Sequence, residues 1–211
     1  MLCAQQGQLV GSHIFKIFQA QDKYPTQNDW IAEVGKLDRD RDRALLSSLP
    51  EQKLIDLFFM HIRNIFRVDG LYFLGIERKL GTEAATEIDK SCWRTMAAIE
   101  AREIGRFLGR SQFSVPNIME ALQLTSWSLD QRHKEVEVSP AKGVFRVVSC
   151  ETQLTRRRKG LPEFPCKQVR YEYLRAFAQE LNPQLDVLCH VCPPDRHSEK
   201  LWCEWEFRSK Q

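Results

Sequence analysis

No apolar run in this chain approaches the ~18 residues that a bilayer-spanning helix requires. The opening stretch MLCAQQGQLVGSHIFKIFQAQ lacks the uninterrupted apolar core of a signal peptide. Internal repeats and low-complexity tracts are missing too, which argues against solenoids and disordered arrays. Charge of one sign is scarce: the net charge of +3 is too mild to predict nucleic-acid binding by itself. These absences point to a cytoplasmic protein with no membrane partner. In a reducing compartment, clustered cysteines more often bind metal or react than form disulfides, and this chain has seven, an odd number. At 211 residues, 43% hydrophobic and 28% charged, it has the length and composition of one substantial globular domain, alone or with an extension.

Residues 1–49 read as an N-terminal extension, with a short helix over Gly11–Ala20 and a solvated alternating charge run from Asp38 to Arg43. Residues 50–211 read as a single α+β domain. Ser48-Leu49-Pro50-Glu51 fits a capping box with proline in the first turn. The helix that follows carries Leu54, Leu57, Phe58, Ile62, Ile65 and Phe66 and is expected to break at Asp69-Gly70. A second helix then runs to Gly81, and a third from Thr82 to Leu108. On that third helix Ala85, Ile88, Cys92, Trp93, Met96, Ile99 and Phe107 share a broad apolar face, onto which Asp89, Glu100 and Glu103 also project. Carboxylates are costly to bury unpaired, so the expectation is that they reach solvent at the edge of the stripe. The other readings are a wet pocket or neutralisation by Arg63 or Arg146. His61, between Phe58 and Ile65, reads first as a core histidine and second as a ligand or base.

After a short helix from Asn117 to Ser126 the periodicity changes. Glu135–Val138 and Val144–Cys150 read as strands, a helix begins at Cys166, and Leu185–Val191 and Leu201–Phe207 form a closing hairpin. The fold class is therefore α+β: a helical N-terminal half (50–126) packed on a four-stranded antiparallel ββαββ sheet unit (133–208).

Five of the seven cysteines fall between Cys150 and Phe207. The strand period of two gives Cys203 the face of Leu201, Trp205 and Phe207, and Cys189 that of Leu185 and Val187. A hairpin turning about Arg196 would make Cys189 and Cys203 cross-strand neighbours. Cys166, at a helix start, would gain thiolate character from the helix dipole. Three such thiolates suit a tetrahedral zinc site, with Asp186, His190, Cys192 or Cys150 as fourth ligand. The bland alternative is that these are small buried hydrophobes. Arg156-Arg157-Arg158-Lys159 reads as a solvated loop, no aromatic platform of the RNA-recognition type accompanying it.

The motifs VDGLYFLGIERKLGTEAATEID, CWRTMAAIEAREI, CETQLTRRRKGLPEFPCK, FAQELNP and CHVCPPDRHSEKLWCEWEF resemble a family of prokaryotic cytosolic proteins known only as a domain of unknown function. More distantly, the order of cysteine, helix, acid-x-x-Cys strand, hairpin and cysteine is similar to vinyl-reductase-like small-molecule-binding domains, in which three cysteines and a glutamate hold zinc. That resemblance implies Cys166, Asp186, Cys189 and Cys203 as the metal ligands, with aspartate replacing the glutamate. The strand–Cys–helix–strand–Cys order is also similar to aminothiazoline carboxylate hydrolases.

The expected function is a small-molecule-binding or sensor-like domain with a structural zinc site. A small organic ligand would lie between sheet and long helix, against Tyr72, Phe73, Trp93 and Met96, with Asp89 or Glu100 as polar anchor. One alternative is a metal-assisted hydrolase of a small C–N or C–S substrate, with Glu100 or His61 as base. Another is an iron–sulfur or redox-reactive thiol protein using Cys150, Cys189 and Cys192. A homodimer is compatible with all three.

Overall fold

The computed structural model describes residues 40–210, so the helix expected over Gly11–Ala20 lies outside the described residues. The chain divides into two compact units, Met1–Leu54 and Ile55–Gln211. In the first, α1 (Asp40–Ser47) buries no side chain, as its run of alternating charge requires. The Ser48 hydroxyl donates back to the Leu45 carbonyl (2.7 Å).

The next helix, α2 (Glu51–Leu80), does not break at Asp69-Gly70. A glycine inside a helix costs only about 1 kcal/mol, and Phe66, Phe73 and Ile76 continue one core-facing stripe across it. The true break is Gly81, whose φ of 88° ends α2 and opens α3 (Thr82–Phe107). The chain continues through α4 (Val115–Gln123) and α5 (Ser126–Asp130) into β1 (His133–Val138) and β2 (Lys142–Ser149). It then forms α6 (Glu151–Arg158), α7 (Cys166–Leu181), β3 (Leu185–Val191) and β4 (Cys203–Ser209).

The α+β architecture is as expected: helices cover one face of a four-stranded antiparallel sheet. Its order is β1-β2-β4-β3, so the last strand is inserted between β2 and β3. Along β4, Cys203, Trp205 and Phe207 point into the core, whereas Glu204, Glu206 and Arg208 alternate outward. On the outer face Arg146 pairs with Glu204 and with Glu137 (2.6 Å), and is therefore no partner for the helix carboxylates. Sheet and helix approach closely at Gly143, where a Cβ would stand 2.3 Å from Met119 Cγ, so any larger residue there requires the buried Met119 side chain to shift.

The longest helix contact is α3 along α7. The buried face of α3 is Ala85, Thr86, Asp89, Trp93, Ala97, Glu100, Ala101, Ile104 and Gly105, rotated from the large apolar residues expected there. Small residues let the two backbones approach, and a Cβ on Gly105 would already touch Leu181 Cδ2 at 3.4 Å. The larger side chains Cys92, Met96 and Phe107 are exposed, Phe107 at 81%. His61 is exposed as well and is not a core histidine, because the buried stripe of α2 runs through Ile62 and Phe73.

Candidate functional site

The site is built on the inner face of α7. Cys166 and Arg170 are one turn apart, and Tyr173 follows one turn later, so all three lie on the same side of the helix. Several contacts outside α7 fix its first turn. Gln153 of α6 clasps the preceding segment, donating to the Phe164 carbonyl (2.8 Å) and accepting from the Phe164 N–H (2.9 Å). Arg156, also on α6, donates to both carboxylate oxygens of Glu77 on α2 (2.9 and 3.0 Å) and to the Pro162 carbonyl (2.7 Å). The arginine run is therefore helical, not a solvated loop. Arg157 pairs with Glu163 and Glu199 and lies over the Trp202 ring, and Arg158 pairs with Glu151.

The turn after β3 is tied onto the same end of α7. Lys167 N–H donates to the Pro193 carbonyl (2.8 Å), and Lys167 Nζ pairs with Asp195 (2.7 Å), which also accepts from the Cys192 N–H (3.3 Å). This holds Cys192 against Cys166 and Cys203, its thiol hydrogen-bonded to both. Cys192, which strand geometry gave no reason to converge, therefore belongs to the thiol group, and Cys150 is near enough for Cys166 and Cys203 to act on it electrostatically. The expected direct pairing of Cys189 with Cys203 does not form: the β3–β4 register, unbroken from Leu185 to Cys189, sets Cys189 opposite Trp205, while Cys203 stands opposite Val147 on β2. Asp186 lies three strand positions before Cys189, opposite Arg208, and accepts the Val187 N–H (3.0 Å). It is not brought to the thiols. Among the described residues no group of three or more Cys, His, Asp or Glu side chains is placed to hold a metal ion.

The thiols differ sharply in acidity. The Cys192 hydrogen bond, supported by the Arg170 guanidinium, brings Cys166 down to about 7 against the cost of burial. Cys192, as the donor in that bond, is pushed up. Burial pushes Cys150 and Cys189 to about 12.

Arg170 is the anomaly of the site. It is 7% exposed and makes no ion pair, and its Nε and Nη1 have no hydrogen-bond partner among the described residues. Its guanidinium instead lies over three aromatic rings, Trp127 at 4.6 Å, Tyr173 at 4.9 Å and Trp93 at 5.4 Å. Beside it two carboxyls meet. Asp89 of α3 is hydrogen-bonded to Asp69 of α2, which also accepts the Trp93 indole N–H (3.2 Å). Burial and the neighbouring Asp69 raise Asp89 to about 8, so it carries a proton at neutral pH. Burial also raises Asp69, with Arg170 and the Trp93 hydrogen bond pulling the other way. Asp130 is raised by burial, with Arg132, Arg63 and Arg170 pulling the other way, and it lines a cleft of about 380 Å³ together with Phe59, Ile62, Arg63, Arg132 and Lys134.

Of the expected ligand residues, Asp89 and Trp93 are at this centre. Glu100 is buried rather than at the stripe's edge, but it is saturated, accepting from Ser126 N–H (2.6 Å) and Tyr173 Oη (2.7 Å). Phe73 packs on Phe164 with ring centroids 4.7 Å apart, Tyr72 is 71% exposed and Met96 is exposed, so these three do not line the centre. Glu103 reaches solvent. Asp69, Trp127 and Arg170 escaped notice, although Arg170 and Asp69 are charged residues on the core stripes of their helices.

The fold and site define an α+β protein with a buried thiol–guanidinium–carboxyl centre between two helices. The family model that matches it, a family of unknown function (DUF6125), covers residues 47–209, and the chain belongs to that family. No curated protein matches the chain. Among the described residues no helix is long and apolar enough to cross a membrane.

Proposed function

We propose that the protein binds a small organic anion, a carboxylate, at Arg170. The observation that carries this reading is a buried guanidinium with two N–H groups lacking acceptors. Such a group is costly to maintain unless a partner completes it, and a carboxylate oxygen completes it with a charge-assisted hydrogen bond. Trp93 and Trp127 supply flat apolar walls. This moves the ligand from between the sheet and the long helix to the α3–α7 interface, keeping Asp89 and Trp93 from the expected set.

Benzoate and its neutral counterpart benzamide serve as probes, with tryptophan fluorescence as the readout. Benzoate is expected to change the emission saturably, benzamide is not, and Arg170→Met abolishes the response while circular dichroism shows a folded chain. A wild-type protein that ignores benzoate, or an Arg170→Met variant that binds it equally, overturns the reading.

A further inference from the structure

We infer that Cys166 is a nucleophile aimed at an electrophilic carbon of a carboxylate-bearing substrate held by Arg170, with Asp89 as proton donor to the leaving group. The inference rests on the anion-binding reading and adds chemistry to it. Cys166 precedes Arg170 by one helical turn on the same face, so an anion on the guanidinium presents its neighbouring carbons to the sulfur. The thiol lies near Arg170 and Cys192, and both favour its thiolate form. Asp89 lies on the buried face of α3 one turn before Trp93, whose ring the Arg170 guanidinium covers at 5.4 Å. No other described cysteine has this company. Cys92 is exposed, and Cys150 caps the start of α6 next to Gln153.

The step balances without an oxidant or reductant. The thiolate electron pair forms a C–S bond as the bond from carbon to the leaving group breaks. The leaving group departs with that electron pair and takes the Asp89 proton where it needs one. For an acyl substrate, water then adds to the thioester carbon, one of its protons returns to Asp89, and Cys166 leaves as thiolate.

Iodoacetate and iodoacetamide test this on the full chain. They differ by one charge, and alkylation forms the C–S bond and breaks C–I with loss of iodide. Peptide mass spectrometry is expected to find Cys166 alkylated before Cys92, with iodoacetate faster than iodoacetamide by about tenfold, the advantage a charge-assisted guanidinium contact confers. Benzoate is expected to protect Cys166 and leave Cys92 labelling unchanged. Arg170→Met is expected to remove the preference for iodoacetate, and Arg170→Lys, which keeps the charge without the fork, to retain part of it. Equal rates for the two reagents at Cys166 overturn the inference. If benzoate still binds through Arg170 in that case, the anion site stands and only the nucleophile is lost; if benzoate also fails to bind, both are lost.

Discussion

Glu100 and Arg170 are both buried charged side chains at the α3–α7 contact, and they share a neighbour. Tyr173 gives its hydroxyl to Glu100 and its ring face to Arg170. Burial pushes that hydroxyl well above its usual range, so it remains a donor. Glu100 has a donor at each oxygen, whereas Arg170 has two N–H groups with none. A satisfied buried charge holds a fold together, and an unsatisfied one is held by it. The first reads as architecture and the second as a site.

The comparison breaks first at Glu100. Glu100→Ala strands the Ser126 N–H and the Tyr173 hydroxyl and is expected to cost about 4 kcal/mol in urea denaturation. A loss below 1 kcal/mol would make Glu100 as dispensable to the fold as Arg170 is held to be. Arg156 sharpens the contrast within one residue type, because it is buried like Arg170 but fully partnered by Glu77 and Pro162. Arg156→Ala is expected to cost about 3 kcal/mol by the same measurement, chiefly by leaving Glu77 alone. Arg170→Met, by contrast, removes two buried nitrogens that lack hydrogen-bond partners, and its melting temperature is expected to equal or exceed that of wild type.

The last contrast is in pH dependence. Asp89 has a folded pKa of about 8 against an ordinary value of 3.8, so the folded chain binds more protons than the unfolded chain between these limits. Its contribution to stability is present in full below the ordinary value and is lost as pH rises through about 8. Asp89→Asn is expected to flatten the decline in melting temperature between pH 5 and 9. An unchanged slope would place that decline on another group.

The strands and the long third helix were legible because alternation and helical period are local properties. β3 runs over Leu185–Val191 as read, and α3 ends one residue early. The order of the sheet was not legible: nothing local to β4 says that it will pair with β2 as well as β3. The core side of α3 was misjudged because size was taken as the sign of burial, when closeness of approach selected Ala97, Ala101 and Gly105. Asp69 was read as a helix breaker because it precedes Gly70, although Phe66 and Phe73 stand one turn to either side of it. Arg170 lay in plain view between Val169 and Tyr173, on a stripe scanned only for apolar residues. Cys192 could not have been assigned, since its position depends on the Lys167–Asp195 pair, which joins residues remote in sequence.

The placement of Cys166 and Arg170 on one continuous helix has a consequence for selectivity. Four residues of α-helix span about 6 Å along the axis, and no hinge lies between them to alter that interval. In the proposed site the helix pitch would act as a ruler, selecting ligands by the separation of their charged and reactive atoms rather than by overall size. A ligand longer by one methylene would misplace its reactive carbon even if it filled the same walls. Lengthening or shortening the chain between the two residues by one position would swing the sulfur about 100° away from the guanidinium.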